Sequence, residues 1–169
     1  MGVNPTFFDA ERGETVNRFK KWFQAKEEPE LPVRDVTLDE VKRATHDFEL
    51  ALPRGTNRTI LLDEEQRIDL TQLAPYLGAR STQVFYMSRE TFTIMEAKDH
   101  LTVYEMDHVQ VAVDRYFDKE RKLPLKPYSK TFQVDCAKLF EQGYLRELPH
   151  QTYYLVDESM IVSLEPKTD

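Results

Sequence analysis

Apolar residues recur along this chain with two periods, about three to four residues apart in some stretches and alternating in others. One apolar stripe at helical spacing runs from Val41 to Leu52, and another runs from Val109 to Tyr116. Stripes of this kind are typical of helices that bury one face. Each stripe ends close to a Leu-Pro pair, so the pattern predicts two long amphipathic helices.

Polar residues mark where the helices begin. Thr37 is followed three residues later by Glu40, which is the pattern of a capping box. Asp107 precedes Gln110 by the same interval and predicts the start of the second long helix there. Two short helices are predicted after the aspartates Asp69 and Asp135, and Pro75 with Gly78 is expected to stop the first of them.

The β-branched and aromatic runs predict strands. QVFYMS and TFTIME, separated by Arg89 and Glu90, predict one hairpin. Val84 and Tyr86 are expected to face opposite to Phe85 and Met87, so that the two sets divide between the core and an exposed face. QTYYLV and SMIVSL, on either side of Asp157 and Glu158, predict a second hairpin. TILLD, at 59–63, predicts a further short strand.

The two halves of the main body share an order of elements. Helix and hairpin positions match at a separation of 68 residues, and the short-helix positions match at 66. We therefore predict an α+β domain built from two helix–strand–helix–hairpin pseudo-repeats, 36–97 and 105–166, that form one mixed or antiparallel sheet with both long helices on one face. TILLD has no clear counterpart in LPLKPYSK, which weighs against duplication. A cleft between the repeats is expected to bring Tyr86 and Tyr154, or His46 and Arg115, toward each other.

Residues 1–35 differ from the domain at 36–166. The stretch 14–28 has aromatic residues at helical spacing among basic ones, and a proline-containing acidic tether follows it. An N-terminal amphipathic helix of this kind rests in a membrane interface, docks in a partner groove or packs as an ordinary helix. The predicted contact residues for a partner or membrane are Phe7, Phe8, Phe19, Trp22 and Phe23.

Charge and composition exclude some classes of function. The 169 residues include 23 basic and 30 acidic side chains, for a net charge of -7. Nucleic-acid binding needs a cationic surface, so nucleic acid is not an expected partner. No apolar run reaches the length of a membrane span and no secretory signal is evident, which predicts a cytoplasmic protein. The single cysteine, Cys136, excludes an intrachain disulfide.

Motifs for catalysis are missing from the sequence. The four histidines lack the i, i+4 spacing of zinc ligands, and no GxSxG, GxxxxGK[ST] or GxGxxG pattern occurs. We therefore expect no metal site, no cofactor and no conventional catalytic residue. The first hypothesis is a non-enzymatic interaction module that binds a protein partner or the inner membrane surface. The alternative is a small-molecule binder or modest enzyme with its site between the pseudo-repeats, and homo-oligomerisation is compatible with either.

Three stretches carry a family resemblance: VRDVTLDEVKRATHDFELALPRGTNRTILL, RIDLTQLAPYLG and LPLKPYSKTFQVDCAKLFEQGYLRELPHQTYYLVDES. Over about residues 31 to 165 the chain resembles a family of small uncharacterised proteins from spore-forming Gram-positive bacteria. The resemblance implies a bacterial, cytosolic setting. It brings no assigned activity, cofactor or catalytic residue to any position of this chain.

Overall fold

The structure is a computed structural model, and it describes residues 30–156 and 159–166. The predicted N-terminal helix, with Phe7, Phe8, Phe19, Trp22 and Phe23, lies outside the described residues. The chain divides into two units between Pro32 and Val33. All helices and strands of the described residues belong to the second unit.

The described residues form a mixed α+β structure, as predicted. Its helices are α1 (Leu38–Leu50), α2 (Leu70–Leu77), α3 (His100–Glu120) and α4 (Cys136–Glu141), and 3-10 turns span Arg58–Leu61 and Ala97–Asp99. Strand β1 (Phe85–Met87) pairs antiparallel with β2 (Ile94–Glu96), and we call this pair hairpin A. Strand β3 (Tyr154–Val156) pairs antiparallel with β4 (Ile161–Ser163), and we call this pair hairpin B.

Several local predictions are confirmed at the level of individual hydrogen bonds. The capping box at α1 is complete, because Glu40 N–H donates to Thr37 Oγ1 and Thr37 N–H donates to the Glu40 carboxylate. The carboxylate of Asp69 accepts from Thr71 N–H at the start of α2. Asp135 caps α4 in the same way, by accepting from Lys138 N–H. These bonds satisfy amides that a helix start leaves without intrahelical partners.

Three local predictions are wrong. Residues 59–61 of the predicted strand TILLD belong to the 3-10 turn Arg58–Leu61, because the side chain of Asn57 accepts from Thr59 N–H and starts a turn there. Helix α3 begins at His100 rather than after Asp107, since its buried stripe already includes Val103 and Met106. Pro75 lies inside α2, which ends at Gly78, where the backbone is left-handed.

The two hairpins do not join into one sheet, so that prediction is wrong for the described residues. They form separate two-stranded sheets. Single bridges, Arg67–Tyr86 and Gln133–Tyr154, extend each hairpin on the side of its first strand. On its other side, β4 bonds the side chain of Gln110 of α3 instead of another strand.

The long helices also do not share one face, because hairpin A is apolar on both sides. Phe85, Met87 and Ile94 pack with Val41 of α1 and with neighbouring residues in one core cluster. Met95 packs with Val103, Met106 and the residues of α4 and hairpin B in a second cluster, and Tyr86 packs against it. Hairpin A is therefore covered by α1 on one side and by α3 on the other. The predicted alternation of Phe85 and Met87 against Tyr86 is confirmed, but the side of Tyr86 packs against a core cluster and is not the exposed face that was predicted.

The backbone hydrogen bonds of the two halves correspond. In the first half, three backbone amides donate to carbonyls: Asp69 to Leu61, Ile68 to Phe85, and Met87 to Gln66. The matching bonds in the second half are, in the same order, Asp135 to Pro124, Val134 to Tyr153, and Leu155 to Phe132. Left-handed φ angles also coincide, at Gln66 with Phe132 and at Phe92 with Met160. Leu125 forms a bridge to Val134 as Leu62 does to Ile68, so LPLKPYSK does contain a position equivalent to one in TILLD.

Among the helices of the described residues, none combines the length and the apolar content needed to cross a bilayer.

Candidate functional site

A groove of about 820 Å³ lies between the two hairpins. Strand β2 forms one wall of this inter-hairpin groove, and the ends of β3 and β4 away from their connecting loop form the opposite wall. The N-terminal half of α3 contributes Thr102 and Met106. The large apolar side chains that line it are Leu38, Ile94, Met95, Met106, Tyr154 and Leu164. A groove of this size holds a short peptide segment or a small molecule.

The charges around the groove nearly cancel. Lys42 and Lys98 stand against the carboxylates of Glu96, Asp99 and Glu165. Lys98 lies 2.8 Å from a carboxylate oxygen of Glu96, and that hydrogen bond raises the pKa of Lys98. A strongly anionic ligand such as a polyphosphate therefore gains little net attraction from this surface.

One wall of the groove is held in place by Glu105 of α3. One of its carboxylate oxygens accepts from the backbone N–H of His150 at 3.0 Å and from the Nδ1 of the same residue at 2.5 Å. The other oxygen accepts from the hydroxyl of Tyr153 at 3.1 Å. Burial alone would raise the pKa of Glu105, but these hydrogen bonds outweigh it and lower the pKa. The hydrogen bond and the negative charge of Glu105 raise the pKa of His150.

Strand β2 presents an open edge to the groove. Ser88 N–H donates to Thr93 O at 3.0 Å, which sets the ladder so that Tyr86 and Met95 bond each other. Because alternate residues of an antiparallel pair face opposite ways, Ile94 and Glu96 point their backbone groups away from β1. Within the part of the chain that the structure describes, no hydrogen bond reaches the amide of Ile94 or of Glu96.

The matching edge of β4 is closed by a side chain. Val162 points its amide away from β3, and Gln110 Oε1 of α3 accepts from it at 2.7 Å. The Nε2 of Gln110 donates to the carbonyl of Met160 at 3.2 Å and to Asp114 Oδ1 at 2.9 Å. Gln110 is buried, so one amide side chain bonds both the amide of Val162 and the carbonyl of Met160 at this edge. The two hairpins therefore differ at their outer edges although their ladders correspond.

A second carboxylate of α3 holds the loop of hairpin A. Asp107 accepts from the backbone amides of Arg89 and Glu90, both at 3.2 Å. It also accepts from the side chains of Ser88 and Gln66, which are buried. This residue, which the sequence pattern suggested as a helix cap, instead fixes the turn beside β2.

The predicted cleft residues lie in different places. Tyr154 lines the inter-hairpin groove, but His46, Tyr86 and Arg115 are not among its lining residues. The ring of Tyr86 contacts that of His100, with 5.5 Å between centroids. Arg115 lines a separate depression with Tyr144 and Arg146, and His46 is exposed on α1. A shared role for the four residues stays a prediction.

Other chemistry is sparse in the described residues. No group of three or more His, Cys, Asp or Glu side chains is placed there to hold a metal ion. Burial raises the pKa of the Cys136 thiol to about 11, and the adjacent charge of Asp135 acts in the same direction. A thiol with a raised pKa is a poor nucleophile near neutral pH.

Sequence reasoning missed the residues that distinguish the two edges. Gln110 was interpreted as part of a cap, and Lys42 and Glu96 were not singled out at all. The periodicity of the sequence does point to Gln110, because this residue lies between Val109 and Ala112 on the apolar stripe of α3. A polar side chain that is buried there needs a hydrogen-bond partner.

The comparisons with known proteins identify a family without an assigned function. No curated protein and no solved structure matches the chain. The family model described as "Protein of unknown function (DUF3939)" matches residues 31–164, which is most of the chain. The chain therefore belongs to the DUF3939 family of proteins of unknown function.

Proposed function

We propose that this protein is a non-enzymatic interaction module that binds a segment of a partner protein in the inter-hairpin groove. The observation that carries the proposal is the open edge of β2 beside a groove of about 820 Å³ that is lined in part by apolar side chains. Unpaired strand edges are surfaces on which other chains add, and proteins usually cover them.

The groove suits a polypeptide better than a charged metabolite. Its charges nearly cancel, and its apolar residues are spread over several elements rather than gathered in one deep pocket. The pKa of His150, a lining residue, is raised, but its Nδ1 is already bonded to the carboxylate of Glu105. An alternative role in catalysis would need converging groups with perturbed pKa values in the groove.

The corresponding hydrogen bonds of the two halves support the location of the site. We propose that residues 36–97 and 105–166 are two copies of one unit, on the basis of their matching hydrogen bonds and left-handed positions. Both units contribute residues to a groove that lies between them. The proposal therefore combines two predictions, that the protein binds a partner and that its site lies between the pseudo-repeats.

The predicted N-terminal contact is a separate proposal that rests on the sequence. Phe19 and Trp22, among basic residues, suit a membrane interface or a second partner surface. Flotation of the full chain with anionic lipid vesicles tests it: the combined change Phe19→Glu and Trp22→Glu abolishes flotation if the proposal holds, and unaltered flotation contradicts it.

The groove proposal is tested with displayed peptides. A library of 12-residue peptides is selected on the immobilised full chain, and enriched peptides are measured against two variants of α3. Thr102 lines the groove, whereas its neighbour Leu101 is exposed and does not. Thr102→Arg is expected to abolish binding and Leu101→Arg to leave it unchanged. Equal binding by both variants, or no enriched peptide, contradicts the proposal.

A further inference from the structure

Strand β2 and strand β4 occupy matching positions but differ in what meets their outward amides. The amide of Val162 in β4 bonds Gln110 Oε1, and the matching amide of Ile94 in β2 bonds no group of the described residues. Ile94 and Val162 are 68 positions apart in the chain, and Lys42 of α1 precedes Gln110 of α3 by the same number. Lys42 is therefore the residue of α1 that matches Gln110. A lysine is only a hydrogen-bond donor and therefore has no acceptor to offer a backbone N–H.

We infer that the partner segment binds as an added β-strand, extending hairpin A by pairing with the outward backbone groups of Ile94 and Glu96. The inference rests on the proposed function, because it specifies how the groove holds its partner. Main-chain hydrogen bonds supply the affinity in this mode of recognition, and alternate side chains of the added strand supply the specificity.

The shape of the groove fits an extended segment. All four residues from Thr93 to Glu96 line it, so it runs along the length of β2. An added strand directs every second side chain to the same side. The side chains of an added strand would meet Met106 of α3 and Leu164, which follows β4, since both line the groove. Lys42 of α1 also lines the groove. The partner is therefore an extended peptide with alternating apolar residues. An acidic residue of that peptide complements the charge of Lys42, for which the described residues provide no ion pair.

The geometry of Glu96 allows a clean test of strand addition. Its amide points away from β1, and its φ of -70° is close to the value that proline requires. Proline is tolerated on edge strands where the missing N–H faces outward. Glu96→Pro thus removes one outward donor and leaves the ladder between Tyr86 and Met95 intact. Glu96→Ala is the matched control, because it loses the same carboxylate and the ion pair with Lys98 but keeps the amide.

The peptides selected on the full chain are titrated against these variants. Strand addition predicts that Glu96→Pro binds about tenfold or more weakly than Glu96→Ala, which is the effect of losing one buried hydrogen bond. A second variant, Lys42→Gln, places an acceptor where Gln110 stands in the other half and is expected to weaken binding more than Lys42→Ala, which removes the same charge without adding an acceptor.

Amide chemical shifts give a readout that does not depend on variant stability. In the wild-type chain, adding the selected peptide shifts the amide resonances of Ile94 and Glu96 and slows their exchange with solvent. If Thr102→Arg abolishes binding but Glu96→Pro binds like Glu96→Ala and both amides stay unprotected, strand addition is wrong and the groove proposal stands. If Thr102→Arg has no effect, both are wrong.

Discussion

The side-chain oxygen of Gln110 accepts the backbone amide of Val162 at 2.7 Å, deep in the second half of the molecule. A strand edge is thus closed by a single residue of the helix that packs on it. Closure by a side chain explains how a three-residue strand stays unpaired on its outer side without leaving a buried donor unsatisfied.

Removal of that side chain is expected to destabilise the protein. Gln110→Ala leaves the amide of Val162 and the carbonyl of Met160 without their partner in a buried site, and we expect a loss of about 1–3 kcal/mol in the free energy of unfolding. Urea denaturation measures it, with Gln142→Ala as the control on an exposed glutamine. A loss no larger than that of the control contradicts the assigned role.

Asp107 is expected to control the order of the hairpin A loop. Asp107→Asn exchanges one acceptor oxygen for a donor that faces the amides of Arg89 and Glu90, and we expect a loss of about 2 kcal/mol in the free energy of unfolding. Hydrogen exchange at these two amides is expected to accelerate. Asp118→Asn, at an exposed position of the same helix, is the control. Unchanged exchange would show that the carboxylate does not hold the loop.

The pair Glu105 and His150 predicts a pH dependence of stability. The raised pKa of His150 adds stability that is complete below its ordinary value of 6.5 and is lost as the pH rises through the folded value. The lowered pKa of Glu105 adds stability that is present above 4.5 and is lost as the pH falls through its folded value. The contribution of the pair is therefore largest between about pH 4.5 and 6.5.

This window is measured by comparing two proteins. The difference in unfolding free energy between the wild type and His150→Gln is expected to peak within the window and to shrink toward zero at alkaline pH, where the imidazole is neutral in both folded and unfolded chains. His100→Gln is a control on a histidine that contacts Tyr86 instead of a carboxylate. A difference that grows from pH 6 to pH 9 would be the opposite of the expected sign.

Cys136 is expected to be unreactive in the folded chain. A rise in the pKa of its thiol from 9.0 to about 11 lowers the thiolate fraction at pH 8 by about a hundredfold. A more basic thiolate is intrinsically more nucleophilic, so reaction with an aromatic disulfide reagent at pH 8 should be slower than that of the urea-unfolded chain by about tenfold or more. Comparable rates in the two states would mean that the thiol is neither buried nor shifted.

Local features were predictable where neighbours in sequence determine them. Thr37 with Glu40 forms its capping box within one turn, and the period-two runs around Phe85 and Tyr154 form hairpins. The arrangement of these hairpins was not predictable, because it depends on both faces of hairpin A being apolar. Periodicity shows that Tyr86 and Met95 share a side, but not which helix covers it.

The candidate site was largely beyond sequence reasoning for a related reason. Asp107 and Gln110 have the spacing of a cap, yet their partners lie far along the chain, at Ser88 and Val162. Contacts at such separations leave no local pattern. Tyr154 was singled out by its match to Tyr86, and it does line the groove, but the open amide of Ile94 has no side-chain signature at all.

Hydrogen exchange at two matching amides tests the central claim most directly, without any ligand. After correction for intrinsic rates, the account predicts that the amide of Ile94 exchanges much faster than that of Val162 in the free full-length chain. Among the residues that the structure describes, Val162 has a hydrogen-bond acceptor and Ile94 has none. Equal protection of the two amides would mean that the edge of β2 is closed, and it would contradict both the proposed function and strand addition.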